Sequence, residues 1–131
     1  MATYGIIKTI NKPFVKVLEK VQQELQREGF GVLTQINLKE KFKEKLGVDF
    51  RRYIILGACN PPSAFKAIEA EENIGLMLPC NVIIYEKNDA TVVGVIKPTA
   101  IMGIVENEKL KALAVTIEEK LMKVLDEVEK L

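Results

Sequence analysis

The amino-acid sequence predicts an α+β domain with about five strands. Strand-like and helical runs alternate along the chain in the order β-α-β-α-β-α-β-β-α. The last two strands are separated only by the polar link Lys87-Asn88-Asp89, which predicts a hairpin, and a long helix ends the chain. The early alternation alone would suit a parallel α/β sheet, but the hairpin and the long final helix favour the α+β class.

The first strand and the first helix lie before Gly29. Residues 4–10 form a short β-prone run, and Asn11-Lys12-Pro13 predicts a helix entry because proline fits the first helical turn. The helix then repeats its apolar residues at helical spacing, which predicts one buried stripe. Gly29 ends the helix, because glycine reaches positive φ freely. The apolar residues of this helix are Phe14, Val17, Leu18, Val21 and Leu25.

The second pair of elements is a strand over residues 31–36 and a short helix that begins after Asn37. Asn37 and Glu40 have the spacing of a capping box, with asparagine in place of the usual serine or threonine. Gly47 ends this helix. The region is locally basic, because residues 39–52 hold six basic and three acidic residues, a net charge of +3. We interpret it as a solvated helix face.

Three more strands and two more helices complete the order. Asn60 and Pro61 open the third helix, which runs to about residue 72. The final helix runs from about residue 107 to 130 and, at roughly 1.5 Å per residue, is about 36 Å long. It either crosses a whole sheet or leaves an apolar stripe for a partner. The apolar segment 99–103 before it suits a lid, a dimer contact or an ordinary packed connection. The remaining strands cover residues 52–58, 82–85 and 91–96.

Length and composition exclude several classes of protein. The 131 residues suit one domain, residues 1–131, and 48% hydrophobic with 28% charged residues is typical of a soluble globular protein. No apolar run approaches the roughly 20 residues of a membrane span, and the N-terminus lacks the features of a signal peptide, so we expect a cytoplasmic protein without membrane association. A net charge of +1 provides no field that would attract nucleic acid, so no nucleic-acid partner is expected.

The chain contains no histidine, which removes much of the usual enzyme chemistry. Neither a Ser-His-Asp triad nor a Cys-His pair can form within the chain. Two cysteines are too few for a typical structural zinc site. We therefore expect no metal, no cofactor and no catalytic residue, and the sequence favours a protein that is not an enzyme.

Two stretches around the cysteines resemble a known family. The run LGVDFRRYIILGACNP, followed by IGLMLPCNVIIYE, resembles the domain-of-unknown-function family 302, as do GFGVLTQINLKEKFKEKLG and TVVGVIKP. The resemblance covers about residues 29–98, with compatible flanks. It implies a compact α+β domain of the TATA-binding-protein-like class, with helices packed on a mainly antiparallel curved sheet. It implies no reaction, because none is established for the family. The positions that match its two motifs are Cys59, Asn60, Pro61, Pro79, Cys80 and Asn81.

The candidate site consists of the two motifs, each of which lies at the predicted start of a helix or a strand. Cys59, Asn60 and Pro61 stand at the start of the third helix, where the first N–H groups have no internal partners and carry partial positive charge. Such a start lowers the pKa of a thiol or holds an anion. Cys80 and Asn81 open the following strand, and the two thiols come close if that strand lies beside the third one. The alternative is structural: the cysteines pack as small apolar residues, and the asparagines serve as caps or turn residues.

Three functional hypotheses follow from these features. The first is a homodimeric binding module for a small molecule or anion, with its pocket near Cys59 and Cys80. The second is a thiol-dependent redox protein or enzyme, with Cys59 as the nucleophile and Cys80 as the resolving thiol. The third is a structural or interaction protein whose dimer interface is the C-terminal helix, so that Leu121→Glu weakens association.

Overall fold

The computed structural model describes residues 3–131 and has the predicted α+β architecture. The first two residues of the expected domain lie outside the described residues. The strands are β1 (Gly5–Ile10), β2 (Gly31–Asn37), β3 (Tyr53–Cys59), β4 (Cys80–Lys87) and β5 (Ala90–Ile96). They form one sheet in the order β1-β5-β4-β3-β2, and all four strand pairings are antiparallel.

Helices form in all four places where the sequence predicted one, and the structure has two further short helical elements that were not predicted. The third helix ends at Ala70, because Glu71 has extended backbone angles, and a 3₁₀ helix over Glu72–Met77 follows it. A short helix also forms in the segment that was interpreted as an apolar loop. The helices are α1 (Phe14–Arg27), α2 (Leu38–Leu46), α3 (Pro61–Ala70), α4 (Pro98–Met102) and α5 (Glu108–Glu129).

The predicted hairpin between β4 and β5 forms around a two-residue turn. Asn88 and Asp89 both have positive φ, at 50° and 63°. Two successive residues in the left-handed region are what a type I′ turn requires, and its twist matches that of the flanking strands. The turn sets the register of the hairpin, in which Lys87 pairs with Ala90 and Val82 with Val95.

The hydrophobic core lies between one face of the sheet and the helices α1, α3 and α5. Helix α1 packs on β4 and β5, and α5 packs on β1, on α1 and on α3. Alternate residues of β1, β3, β4 and β5 point into this core, because side chains of a strand alternate between its two faces, whereas the edge strand β2 contributes no buried residue. The core residues of the two central strands include Ile54, Leu56, Ala58, Cys80, Val82 and Ile84.

Helix α5 uses its apolar stripe within the chain. The residues that predicted a long amphipathic helix are buried against the sheet and α1, and Leu121 is 0% exposed. The stripe is therefore part of the core of the protein and offers no apolar area to a partner. Leu121→Glu would place a carboxylate in this core, so it tests folding and does not test association. The buried residues of α5 are Leu110, Ala114, Ile117, Leu121, Val124, Leu125 and Val128.

Candidate functional site

The structure places the predicted site residues together at one end of the sheet. Cys59 ends β3, Asn60 is the N-cap of α3, and Cys80 begins β4. The strands β3 and β4 are neighbours, and Ala58 pairs with Cys80. Cys59, Asn60 and Cys80 line the same small cavity, which we call the cysteine cavity.

The other two predicted residues do not line the cysteine cavity. Pro61 is exposed in the first turn of α3. Asn81 is also exposed and pairs with Gly57, so its side chain lies on the sheet face opposite to that of Cys80. The five predicted residues are thus neighbours in space, but only three of them share one cavity.

The cysteine cavity is small and mostly apolar. Its volume is about 20 Å³, and Phe30, Ala67 and Ile117 are among its lining residues. One water molecule needs at least about 10–15 Å³ measured in this way, whereas pockets for small molecules usually span about 300–1,000 Å³. The cavity therefore has room for about one water molecule and no room for a metabolite.

The start of α3 has no free backbone donor for an anion. Pro61 and Pro62 occupy the first two helical positions and carry no N–H group. The next N–H group, that of Ser63, donates to Asn60 Oδ1 at 3.2 Å, and the N–H group of Ala64 donates to the Asn60 carbonyl at 2.9 Å. These N–H groups therefore bond within the protein, and none is left for the anion that the sequence suggested here.

Asn60 holds two helix ends together. Its Oδ1 caps α3, and its Nδ2 donates to the carbonyl of Glu28, just beyond the end of α1, at 3.3 Å. The last carbonyls of a helix lack internal partners, so this bond satisfies a group that would otherwise depend on water. The cap that the sequence suggested for Asn60 is present, and both polar atoms of its side-chain amide make structural hydrogen bonds.

Both thiols are free, and their surroundings differ. Cys59 is half-buried, whereas Cys80 is 6% exposed in the core. Burial of the Cys80 thiol, and secondly the charge of a Cys59 thiolate, raises its pKa from 9.0 to about 11. Because the thiolate is the reactive form, Cys80 is held in its unreactive state at neutral pH.

A much larger pocket lies at the opposite end of β3. It has a volume of about 440 Å³ and lies between the start of α1, helix α2, and the segment that leads into β3. We call it the α2–β3 pocket. Its lining residues are Phe14, Asn37, Lys39, Glu40, Lys43, Val48, Asp49, Phe50, Arg52, Tyr53 and Ile54.

Aromatic rings form much of the wall of the α2–β3 pocket. The Phe50 ring packs edge-on against Phe42, with 5.2 Å between ring centroids, and lies 6.4 Å from the ring of Tyr53. Tyr53 in turn stacks on Tyr85 at 4.9 Å with nearly parallel rings. Burial, followed by the charges of Tyr85 and Tyr4, raises the pKa of Tyr53 above its usual value of 10.0. Tyr53 is therefore neutral at physiological pH, and the wall stays apolar.

Two cations of the pocket keep unused bonding capacity. Lys39 Nζ donates to the carbonyl of Phe50 at 2.8 Å and forms no salt bridge with any residue in the range 3–131. Arg52 lies over the ring of Phe14, 5.6 Å from its centroid, and its Nε is 3.8 Å from a carboxylate oxygen of Glu86. That separation is too long for a hydrogen bond, so the guanidinium retains its donors.

The basic segment 39–52 was the sequence signal for this pocket. It was interpreted as a solvated helix face, and helix α2 indeed has no buried residue. The sequence did not reveal that two aromatic residues line the pocket beside the basic side chains: Phe14, which is distant in the sequence, and Tyr53. A local excess of positive charge followed by an aromatic strand residue was the available clue.

A third depression, of about 620 Å³, lies between α3 and α5. It is lined by short side chains and by the charged residues Lys66, Glu69 and Lys109. With no aromatic or large branched wall other than Leu113, it is a shallow groove between packed helices. It offers few apolar contacts to a ligand.

The described residues contain neither a metal-binding cluster nor a membrane-spanning helix. Within residues 3–131, no group of three or more histidine, cysteine or acidic side chains is arranged to hold a metal ion. In the same part of the chain, no helix is both long and apolar enough to cross a membrane.

Fold and site together define a small α+β protein with an antiparallel sheet covered by helices on one face. The chain matches the family model described as "Domain of unknown function DUF302" over residues 6–128, and it belongs to that family, as the resemblance indicated. It is similar to a solved structure of an uncharacterized conserved DUF302 protein from Bacillus stearothermophilus, with 34% identity and a TM-score of 0.90. The similarity covers 97% of this chain and 99% of that one. No curated protein matches the chain.

Proposed function

We propose that the protein is a binding module for a small anion with an aromatic or apolar body, held in the α2–β3 pocket. The observation that carries the proposal is the combination of an aromatic wall with two cations: Lys39, which forms no salt bridge within residues 3–131, and Arg52, whose Nε is 3.8 Å from Glu86 and whose other donors are unused. A mostly apolar pocket with a few placed polar groups is the usual form of a small-molecule site.

The charges of the lining favour one anionic group. Lys43 and Asp49 pair with one another at 3.2 Å, so the other charged lining residues, Lys39, Arg52 and Glu40, have a net charge of +1. Glu86, outside the lining, is 3.8 Å from Arg52. The planar guanidinium of Arg52 suits a carboxylate or a phosphate, because its donors match two oxygens at once. The rings of Phe50 and Tyr53 would pack against the apolar body of the ligand.

The binding function is thus the one expected from the sequence, but the pocket is a different one. A ligand near Cys59 and Cys80 would have to fit into about 20 Å³ and would meet no free N–H group at the start of α3. The α2–β3 pocket is large enough, at about 440 Å³, and holds the unused donors. We therefore assign structural roles to Cys80 and Asn60.

The thiol-redox alternative has less support. A resolving thiol must ionise to attack a mixed disulfide, and burial holds the pKa of Cys80 at about 11. The lining of the α2–β3 pocket includes no cysteine, serine or histidine, so it offers neither a Ser-His nor a Cys-His nucleophile pair. Binding without catalysis is the proposal that remains.

The test uses 1-naphthyl phosphate as an anionic aromatic probe and 1-naphthol as its neutral counterpart. Isothermal titration should detect binding of the phosphate and at least tenfold weaker binding of the alcohol, because a charge-assisted bond is worth about 1.5–3 kcal/mol. Arg52→Gln should weaken binding of the phosphate about tenfold or more for the same reason.

Arg51→Gln is the matched control. It removes the same charge one position away, from a residue that lies outside the lining of the α2–β3 pocket. Binding that is weakened equally by Arg51→Gln and Arg52→Gln would indicate general charge attraction and would contradict the proposal. Equal affinity for the phosphate and the alcohol would contradict it as well.

A further inference from the structure

Glu40 places a negative charge in the lining of the α2–β3 pocket. It stands in the first turn of α2, where its backbone N–H group donates to Asn37 Oδ1 at 3.2 Å. Glu40 is exposed, and its carboxylate forms no salt bridge with any residue in the range 3–131. The pocket that offers cations to a ligand therefore also presents one carboxylate that no cation of the described chain neutralises.

The other two carboxylates of this region each have a cation beside them. Asp49 forms its salt bridge with Lys43 at 3.2 Å, so these two lining residues neutralise one another. Glu86 lies outside the lining, with a carboxylate oxygen 3.8 Å from Arg52 Nε. Glu40 is thus the lining carboxylate that the negative group of a ligand would meet without a compensating cation.

The charge of the lining sets how much negative charge a ligand can bring. Apart from the Lys43–Asp49 pair, the charged lining residues Lys39, Arg52 and Glu40 sum to +1. A carboxylate, with one negative charge, brings this sum to zero. A phosphate monoester carries about −1.5 to −2 charges at pH 7 and would leave an excess of negative charge beside Glu40.

The cost of removing water from the ligand favours the same choice. The attraction of a bound group to the lining grows in proportion to its charge, whereas the cost of taking the group out of water grows with the square of that charge. A second negative charge is compensated only if the site has further donors to offer. Lys39 already donates to the carbonyl of Phe50 at 2.8 Å, so part of its bonding capacity is used within the protein.

We propose that the ligand of the α2–β3 pocket is a singly charged carboxylate with an aromatic or apolar body, and that Glu40 selects against doubly charged phosphate esters. This inference rests on the proposed function and adds the class of the anionic group. Two donors of the Arg52 guanidinium bind the two carboxylate oxygens, because the two planar groups match in shape. Glu40 acts through its charge as a specificity-determining residue and does not itself bind the ligand.

Two probes with the same ring system and different charges test the proposal. 1-Naphthylacetate has one negative charge, and 1-naphthyl phosphate has close to two at about pH 8. Isothermal titration of the full chain at this pH should show at least about threefold tighter binding of 1-naphthylacetate. The expected factor follows from the energy of one exposed pair of charges, which changes an equilibrium constant about 1.5- to 5-fold.

Glu40→Gln removes the charge but retains the size of the side chain and the backbone bond to Asn37. It should tighten binding of 1-naphthylacetate about threefold and binding of 1-naphthyl phosphate about tenfold, because the doubly charged group meets twice the repulsion. The preference for the carboxylate should therefore shrink about threefold. A preference that is unchanged in Glu40→Gln would contradict the role of Glu40.

Glu44→Gln is the matched control. It removes the same charge one turn further along α2, from an exposed residue outside the lining that pairs with Lys41 at 3.7 Å. The preference for 1-naphthylacetate should stay as in the wild type. A shift as large as that of Glu40→Gln would show that the overall charge of α2 sets the selectivity, and it would overturn the proposal.

The outcomes separate this inference from the proposed function. A wild-type protein that binds 1-naphthyl phosphate as tightly as 1-naphthylacetate, with both weakened in Arg52→Gln, would overturn the preference for a carboxylate and leave the proposed function intact. A protein that binds neither probe would overturn the proposed function, and this inference with it.

Discussion

At the scale of single residues, the burial of Cys80 couples the ionisation of its thiol to folding. Its pKa rises from 9.0 to about 11 in the folded chain. The neutral thiol therefore stabilises the fold fully below about pH 9, and this contribution is lost as the pH rises toward 11. Between about pH 8 and about pH 10, the free energy of unfolding should fall by about 1 kcal/mol more in the wild type than in Cys80→Ala.

Urea unfolding of both proteins at the two pH values measures this difference. Cys59→Ala is the control and should retain the loss seen in the wild type, because Cys59 is only half-buried. Parallel pH profiles for the wild type and Cys80→Ala would show that Cys80 is accessible to solvent, which is the opposite of its assigned role.

Asn60 and Asn81 occur in similar Cys-Asn pairs but have different surroundings. Asn60→Ala removes the cap of α3 and the partner of the Glu28 carbonyl, so it should lower the free energy of unfolding by about 2 kcal/mol. Asn81→Ala changes an exposed side chain and should stay within about 0.5 kcal/mol of the wild type. Chemical denaturation of the two variants is the measurement. Similar losses in both would argue against the capping role.

At the scale of elements, α5 belongs to the core of the chain. Leu121→Ala should lower the free energy of unfolding by about 2–5 kcal/mol, because it leaves a cavity between α5, α1 and the sheet. Met122→Ala, next to it on the exposed side, should cost less than about 0.5 kcal/mol. Thermal and urea unfolding measure both values. A Leu121→Ala variant of unchanged stability that fails to self-associate would instead favour an interface on α5.

Elements with their own start and stop signals were predictable from the sequence. Helix α2 has Asn37 as its cap and Gly47 in the left-handed region at its end, as predicted, and α5 begins at Glu108, next to the predicted start at about residue 107. Helix α4 was missed because its start is stabilised from elsewhere in the chain. The backbone N–H and the hydroxyl of Thr99 both donate to Glu118 of α5, at 3.1 Å and 2.7 Å.

The candidate site was only partly predictable. The sequence placed Asn60 at the start of α3 with a cap as one of its roles, and the structure shows that cap. It left open whether β3 and β4 are neighbours, which they are. It could not reveal that packing reduces the cysteine cavity to about 20 Å³ or that Asn60 uses its second polar atom on Glu28. The α2–β3 pocket was hidden for a related reason. Its wall combines Phe14 with residues 37–54, and only the fold brings them together.

At the scale of the whole molecule, Tyr53 lies where the two faces of the sheet meet. It lines the α2–β3 pocket, and by its register with Tyr85 its side chain belongs to the sheet face opposite the helices. The helices cover the other face of the sheet with the hydrophobic core. The proposed ligand pocket is thus at the boundary between the covered and the uncovered face of the sheet.

The most direct test of the proposed function is a map of backbone amide chemical shifts during titration with 1-naphthyl phosphate. The largest changes should fall on the lining of the α2–β3 pocket, in residues 37–54 and at Phe14. They should be lost in Arg52→Gln and retained in Arg51→Gln. Changes centred on Cys59, Ser63 and Cys80 would instead place the ligand in the cysteine cavity and would contradict the assignment of the site.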